Sequence, residues 1–326
     1  MTSVLIIGGA GYVGSKLVPE LLKKNYKVKV LDLFIYGDNV LPNNPNLIKI
    51  KGDIRNINLV KKATKDIDIL IHLACISNDP SFELNPELGK SINYDSFEPI
   101  IKIAIEFGVK RFIYASSSSV YGIKTEKNVT ETMALKPLTD YSKYKAMCED
   151  LLLKYNSDNF CCTVLRPATV CGYSPRQRLD VVVNIFSNLA YHKNIITVNG
   201  GSQLRPNINI NDMVRAYTHI IEEDIQKIYG QIFNVGFENI TLSDLAINVK
   251  AVLGSHIVIK TLKTEDNRSY HISSDKIKKD LNFVNKYNIK DAIFSLKEAF
   301  DKKILLNTFE DPNYFNIKKM QNISLK

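Results

Sequence analysis

The run Val4-Leu-Ile-Ile-Gly-Gly-Ala-Gly-Tyr-Val-Gly14 constrains this chain more than any other stretch. Val4 to Ile7 is apolar and rich in β-branched residues, the pattern of a strand buried on both faces. Glycines follow as Gly8-x-x-Gly11-x-x-Gly14. Ser15 to Lys24 then reads as a helix, with Leu17, Val18, Leu21 and Leu22 on one face. A strand, a glycine turn and a helix make a place for a phosphate. Glycines let the backbone come close, and the N–H groups of the helix N-terminus face an anion. Taken alone, the pattern also fits an ordinary tight turn. Val28-Lys-Val-Leu-Asp32 adds a second strand ending in an acid. That acid stands about 20 residues past the glycines, where a ribose hydroxyl sits in a dinucleotide site.

The chain has 326 residues, 45% of them hydrophobic. That supports a large core and suits one large or two unequal domains. No run of about 18 apolar residues occurs, so no transmembrane helix or membrane insertion is expected. The N-terminus enters a strand without a basic-then-apolar leader, so no secretory signal is expected. The five cysteines, Cys75, Cys148, Cys161, Cys162 and Cys171, include no Cys-x-x-Cys pair. They read as reduced core residues of a cytoplasmic protein. His72, His192, His219, His256 and His271 show no metal-ligand spacing, so no metal is expected. The net charge is +9. The lysines are spread along the chain rather than gathered in one arm. This favours a solvated lysine-rich surface over a nucleic-acid partner, and it suits a pocket for a diphosphate.

The first half alternates strand and helix. Leu47–Lys51 is a third strand and Ile67–Ala74 a fourth. Pro86–Gly108 reads as one long helix, Arg111–Ala115 as a fifth strand, Thr139–Tyr155 as a helix and Phe160–Pro167 as a sixth strand. Repeated βα units predict a doubly wound parallel sheet of the Rossmann α/β class, with ligands at the carboxyl ends of the strands. After Pro167 the pattern is less regular. The expected division is residues 1–167 as a dinucleotide-binding domain and 168–326 as a smaller mixed lobe, with segments returning to the main sheet. The polar stretch Asn307 to Lys326 is either docked or frayed.

A second constellation starts at Tyr141-Ser-Lys-Tyr-Lys145. The i, i+4 spacing puts Tyr141 and Lys145 on one helix face. The fifth strand runs into Ser116-Ser-Ser-Ser119, at the end of the sheet where chemistry sits. Tyrosine is a poor base at a free pKa of about 10. A nearby ammonium favours its phenolate, and a serine hydroxyl holds a substrate oxygen in line with it. On its own, Tyr-x-x-x-Lys also fits a surface helix.

Together these motifs resemble the extended short-chain dehydrogenase/reductase family, in its nucleotide-sugar epimerase/dehydratase branch, from residue 4 to about residue 300. The resemblance implies an NAD-binding Rossmann domain with a C-terminal substrate lobe, and a homodimer formed through a four-helix contact. It assigns Gly8, Gly11, Tyr12, Val13 and Gly14 to the pyrophosphate, Asp32 to the ribose, and Asp53 and Ile54 to adenine. Leu73, Ala74, Ser77, Asn93 and Ala168 are expected elsewhere along the cofactor. Ser117, Tyr141 and Lys145 match the catalytic residues. Asp32 argues for NAD over NADP, because a carboxylate repels a 2′-phosphate and Leu33 offers no cation.

Sugar 4,6-dehydratases of this family carry an Asp-Glu pair after the catalytic hydroxyl residue. Here those positions are Ser118 and Ser119, so the expected reaction is 4-epimerisation of a nucleotide-diphosphate sugar. The alternative is a 4-dehydrogenase or 4-ketoreductase, for example on a nucleotide-linked heptose or deoxysugar. A non-catalytic NAD(H)-binding scaffold has no need of all three catalytic residues. Substrate contacts are expected at Ser77, Asn78, Ser118, Thr169, Arg178 and Asn184. Arg205 and Arg268 match two arginines that grip the diphosphate, a role suited to a planar fork. Arg176 and Arg178 also fit surface ion pairs, and Asp79 fits a cap of the next turn as well as a sugar contact.

Overall fold

Ser3–Ile7 forms β1, whose last four residues are buried. The computed structural model describes residues 1–126, 128–264, 269–323 and 325. After β1 come α1 (Gly14–Lys23), β2 (Lys27–Asp32), β3 (Leu47–Lys51), α2 (Ile57–Thr64), β4 (Ile69–His72), α3 (Asp79–Glu83), α4 (Pro86–Lys90), α5 (Phe97–Glu106), β5 (Arg111–Ala115), α6 (Asp140–Lys154) and β6 (Cys161–Pro167). The second half adds β7 (Thr169–Cys171), α7 (Val182–Lys193), β8 (Ile195–Asn199), β9 (Leu204–Asn209), α8 (Ile210–Glu222), α9 (Ile225–Ile228) and β10 (Gln231–Val235). It ends with β11 (Glu238–Thr241), α10 (Leu242–Leu253), β12 (Val258–Leu262), α11 (Asp275–Leu281), α12 (Ile289–Asp301) and α13 (Asn316–Asn322).

Seven strands pair in the order β10-β6-β5-β4-β1-β2-β3, all parallel. The order reverses between β1 and β4. At such a switch the crossovers leave to opposite faces and open a crevice at the carboxyl ends. Ile7 is in register with His72, so Gly8 and Leu73 leave the sheet side by side. Alternate β1 residues serve opposite faces, as a period of two requires. Val4 and Ile6 pack in one core with Leu17, Leu21, Met213 and Ile220. Leu5 and Ile7 pack in the other with Val60, Phe97, Ile101 and Cys148. The strand β10 comes from the second half of the chain and takes the edge beside β6. Two small sheets, β11-β9-β7 and β12-β8, lie outside the main one. The helices α7, α10 and α12 share a third core with Val183, Leu245 and Ile293.

The helix expected over 86–108 is divided. A π-helical turn at Ser91–Asp95 separates α4 from α5. Pro99 has no N–H to give the carbonyl four residues earlier, so one regular helical bond is missing where the π turn meets α5. The Asn93 carboxamide accepts the Ile76 N–H at 2.8 Å and donates to the Ile76 carbonyl at 3.0 Å.

All five cysteines are free thiols. Among the described residues no helix is long and apolar enough to cross a membrane, and no cluster of side chains is built to hold a metal.

Candidate active site

The crevice at the switch point is a cavity of about 410 Å³. The glycine turn forms its floor. Gly8 has φ +84°, and a Cβ there would overlap the Ala74 backbone nitrogen. A Cβ on Gly14 would come within 2.5 Å of the Gly9 carbonyl oxygen. Both positions are therefore kept bare by backbone packing. Val13 caps α1 without a side-chain hydrogen bond, and the turn from Gly11 to Gly14 lines the cavity. Asp32 accepts the Ala10 N–H at 2.9 Å and the Phe34 N–H at 2.8 Å. Burial pushes its carboxyl pKa above the ordinary value, against those hydrogen bonds and the nearby Arg176 guanidinium. Asp53, Ile54, Leu73, Ala74, Ser77 and Ala168 line the same cavity. Asn93 does not line it and instead supports the wall through Ile76.

Ser117, Tyr141 and Lys145 meet in this cavity. Thr139 and Ser142 form a capping box that starts α6. Tyr141 then falls in the first turn, and Lys145 one turn further on the same face. Lys145 is 3% exposed. Its ammonium donates to the Ala115 carbonyl at 2.6 Å and lies 5.9 Å from the Tyr141 ring centroid. Ser117 Oγ accepts the Ser119 N–H at 3.1 Å and pairs with Ser119 Oγ at 2.9 Å. Burial pushes the Tyr141 phenol well above its ordinary pKa, with Cys75 and Asp79 adding to the shift. Arg178 and a hydrogen bond with Ser117 pull it down. More positive charge at this point would favour the phenolate.

A buried network fixes α6 on the sheet. Arg166 grips Glu149 through Nε at 3.1 Å and Nη2 at 2.6 Å. Ser116 also donates to Glu149. Arg166 Nη1 donates to the Tyr121 hydroxyl at 2.8 Å, and that hydroxyl donates to Asn234 at 2.7 Å.

Of the residues expected to contact substrate, Ser77, Asn78, Ser118, Thr169 and Arg178 line the cavity. Asn78 also caps α3, accepting the Ser81 N–H at 3.0 Å. Asp79 follows as the first residue of α3 and accepts the Thr139 hydroxyl at 2.6 Å. The nucleotide contact expected at Asn184 needs correction. Asn184 is fully buried. It accepts the Gly172 N–H at 3.0 Å and donates to the Tyr12 hydroxyl at 3.0 Å and the Arg178 carbonyl at 2.8 Å. Its amide is spent on bracing the Gly172–Arg178 loop. Arg205 lies outside the walls, with its guanidinium 5.1 Å from the ring of the wall residue Tyr270. Arg268 falls outside the described residues.

The surface ion pair considered for Arg176 is also corrected. The residue is 4% exposed and lines the cavity. Tyr36, Tyr217, Asn316, Met320 and Leu325 are further wall residues with no local sequence signal.

The profile of the NAD dependent epimerase/dehydratase family matches residues 4–236. A UDP-glucose 4-epimerase of Lactobacillus helveticus is 26% identical over 271 residues, covering 76% of this chain and 82% of that protein. A dTDP-D-glucose 4,6-dehydratase of Homo sapiens is 29% identical over 245 residues, covering 72% and 68%. The fold also matches a solved UDP-glucuronic acid 4-epimerase from Bacillus cereus, in complex with UDP-glucuronic acid and NAD. There the TM-score is 0.83 at 24% identity, over 93% of this chain and all of that one.

Proposed function

Because the chain belongs to the NAD dependent epimerase/dehydratase family, we propose that it is a nucleotide-sugar 4-epimerase. The residues present fit NAD. The bare backbone at Gly8 and Gly14 allows close approach of a diphosphate, and Asp32 supplies an acceptor for a ribose hydroxyl. Gly8, Gly11, Tyr12, Val13 and Gly14 would hold the diphosphate, and Asp53 and Ile54 the adenine. Leu73, Ala74, Ser77 and Ala168 would serve the remainder, with Asn93 bracing the wall behind them through Ile76. When bound, NAD supplies a hydride acceptor that can give the hydride back.

The chain's own chemistry is proton transfer at one oxygen. Tyr141, as phenolate, takes the proton from the sugar 4-hydroxyl and later returns it. The Lys145 ammonium favours that phenolate, and Ser117 Oγ donates to the same sugar oxygen. Ser77, Asn78, Ser118, Thr169 and Arg178 would orient the sugar. Arg205, outside the walls but beside the wall residue Tyr270, would have to reach in to meet the diphosphate together with Arg268.

The observation that carries this reading is the pair Ser118 and Ser119 behind Ser117. Loss of water from a sugar requires groups that move protons between neighbouring carbons. Serine hydroxyls are poor acids and bases near neutral pH, so hydride transfer at a sugar carbon remains, and the family's 4-epimerases favour its return over one-way oxidation or reduction.

The test is to incubate the purified protein with UDP-glucose, UDP-galactose and UDP-glucuronic acid, without added cofactor, and follow products by NMR. Interconversion of a C4 pair is expected. NADH accumulating in step with substrate once excess NAD is added would instead make it a one-way 4-dehydrogenase.

We further assign residues 1–167 as the NAD-binding domain and 168–326 as the substrate lobe, with segments such as β10 returning to the main sheet, in a cytoplasmic homodimer. Exposed Ile105 on α5 and Met147 on α6 support a helical contact. Sedimentation at a single-chain mass would exclude it.

A further inference from the structure

The loop after β7 is stitched to the first turn of α1. Ser174 Oγ donates to the Tyr12 carbonyl at 2.7 Å and pairs with Ser15 Oγ at 2.8 Å. The Arg176 N–H donates to Ser15 Oγ at 3.1 Å. These bonds hold Arg176 beside the helix N-terminus that forms the phosphate floor. Its guanidinium stacks 3.6 Å from the Tyr36 ring centroid, and Nη2 donates to Asn316 Oδ1 at 2.5 Å. Its Nε is buried with no protein acceptor. Arg178 Nη2, on the same wall, is buried likewise. A buried guanidinium nitrogen is costly unless something accepts from it.

Asn316 joins three rims of the cavity. Its Nδ2 donates to Ser77 Oγ at 2.8 Å, beyond β4. Its Oδ1 accepts from the Tyr36 hydroxyl at 3.0 Å, beyond β2. Its backbone N–H donates to Asp180 Oδ2 at 2.7 Å, in the loop after β7. Farther along, Met320 and Leu325 line the cavity and pack on the core that includes Ile54 and Ile92. The C-terminal tail therefore lies across the mouth of the cofactor crevice.

We propose that Arg176 binds the diphosphate of the dinucleotide and that Asn316 latches the tail across it, so that bound cofactor is retained through turnover. This rests on the NAD reading above. An epimerase must return its hydride to the molecule that gave it, so slow release of reduced cofactor serves the reaction. A guanidinium fork suits a phosphate, and Arg176 lies on the α1 side, where the helix N-terminus also favours the anion. The nucleotide sugar carries a diphosphate too. Its grip belongs to other residues, and the test separates the two.

The test measures NAD and UDP affinity by calorimetry on the intact protein, Arg176→Gln and Asn316→Ala, and NADH release by dilution. Arg176→Gln is expected to weaken NAD by about tenfold or more and leave UDP within about twofold. Asn316→Ala is expected to speed NADH release by about tenfold. An unchanged NAD affinity, or a loss falling on UDP instead, overturns the proposal. If Arg176→Gln does not fold, the Asn316→Ala release rate decides, and an unchanged rate overturns the latch. An intact protein that binds no NAD overturns the cofactor reading itself, which is a distinct result.

Discussion

The Asp32 carboxylate accepts the Ala10 N–H at 2.9 Å, so the acid that ends β2 also pins the glycine turn that follows β1. One side chain thus holds the glycine turn and stands at the proposed ribose site. Asp32→Ala should lower stability by about 1–3 kcal/mol, because two backbone donors lose a charged acceptor. It should also weaken NAD by about tenfold or more. Asp32→Asn keeps one acceptor oxygen and should recover part of the stability. Thermal unfolding and calorimetric titration of the three proteins check both effects.

Gly14→Ala tests the floor of the site. The added methyl would meet the Gly9 carbonyl, which is backbone and cannot turn away. NAD binding should be lost, and the variant should unfold at lower temperature. Gly108→Ala is the matched control. Gly108 has φ +73° but nothing within 4 Å of the added carbon. Its cost is the left-handed backbone alone, about 1–2 kcal/mol, with NAD affinity unchanged.

Tyr141 should titrate differently with and without cofactor. Burial holds its phenol well above the ordinary value, so the neutral form dominates at neutral pH in the free chain. The positive ring of oxidised nicotinamide lowers the pKa of a nearby phenol. Ultraviolet titration with saturating NAD should show a phenolate forming at lower pH than without it. Tyr141→Phe should lack that difference, keep NAD and lose nearly all turnover. A shift that survives in Tyr141→Phe would assign the titration to another tyrosine.

The parts of this site that are legible in the sequence are local. The strand, glycine turn, helix and acid lie within the first 32 residues, and Tyr141 and Lys145 are one helical turn apart. Periodicity and spacing report such features directly. Asn316 reaches Ser77 across 239 residues, and no local pattern encodes that meeting. Arginines show the same limit. Arg176 and Arg205 look alike in sequence, and only the fold buries the first against Tyr36 on the cavity wall. Asn184 reads as a ligand residue because it stands where the family resemblance puts a nucleotide contact. Here the Gly172 and Arg178 backbone and the Tyr12 hydroxyl use its whole amide.

His72 should make the fold sensitive to acid. It is 2% exposed among Phe97, Phe112 and Tyr114, with no partner for either ring nitrogen. Burial, with Lys145 adding, lowers its pKa from 6.5 to about 3. The unfolded chain therefore takes up the proton first. The contribution of neutral His72 is fully present above about pH 6.5 and is lost as pH falls towards 3, by at most about 1.4 kcal/mol per pH unit. Urea unfolding at pH 7 and pH 5 should show a smaller drop for His72→Phe than for the parent. Equal drops would remove His72 from the account.

Glu149 and Arg166 should matter as a pair more than either does alone. Both are almost fully buried, and their contact joins α6 to β6. Removing one partner strands a buried charge, which costs about 3–5 kcal/mol, whereas replacing both with apolar residues is often close to neutral. Glu149→Leu should therefore unfold far more easily than the double variant Glu149→Leu/Arg166→Met. The double variant still loses the bonds to Ser116 and Tyr121. Those bonds tie α6, and so Tyr141 and Lys145, to the serine cluster at the end of β5. The double variant should therefore regain stability without regaining full turnover, and its NAD affinity should stay near the parent's because the glycine turn and Asp32 are untouched. Unfolding in urea, kcat and NAD affinity measured on the same three proteins separate anchoring of the helix from simple stability. Full recovery of kcat in the double variant would show that the network holds the fold and not the catalytic face.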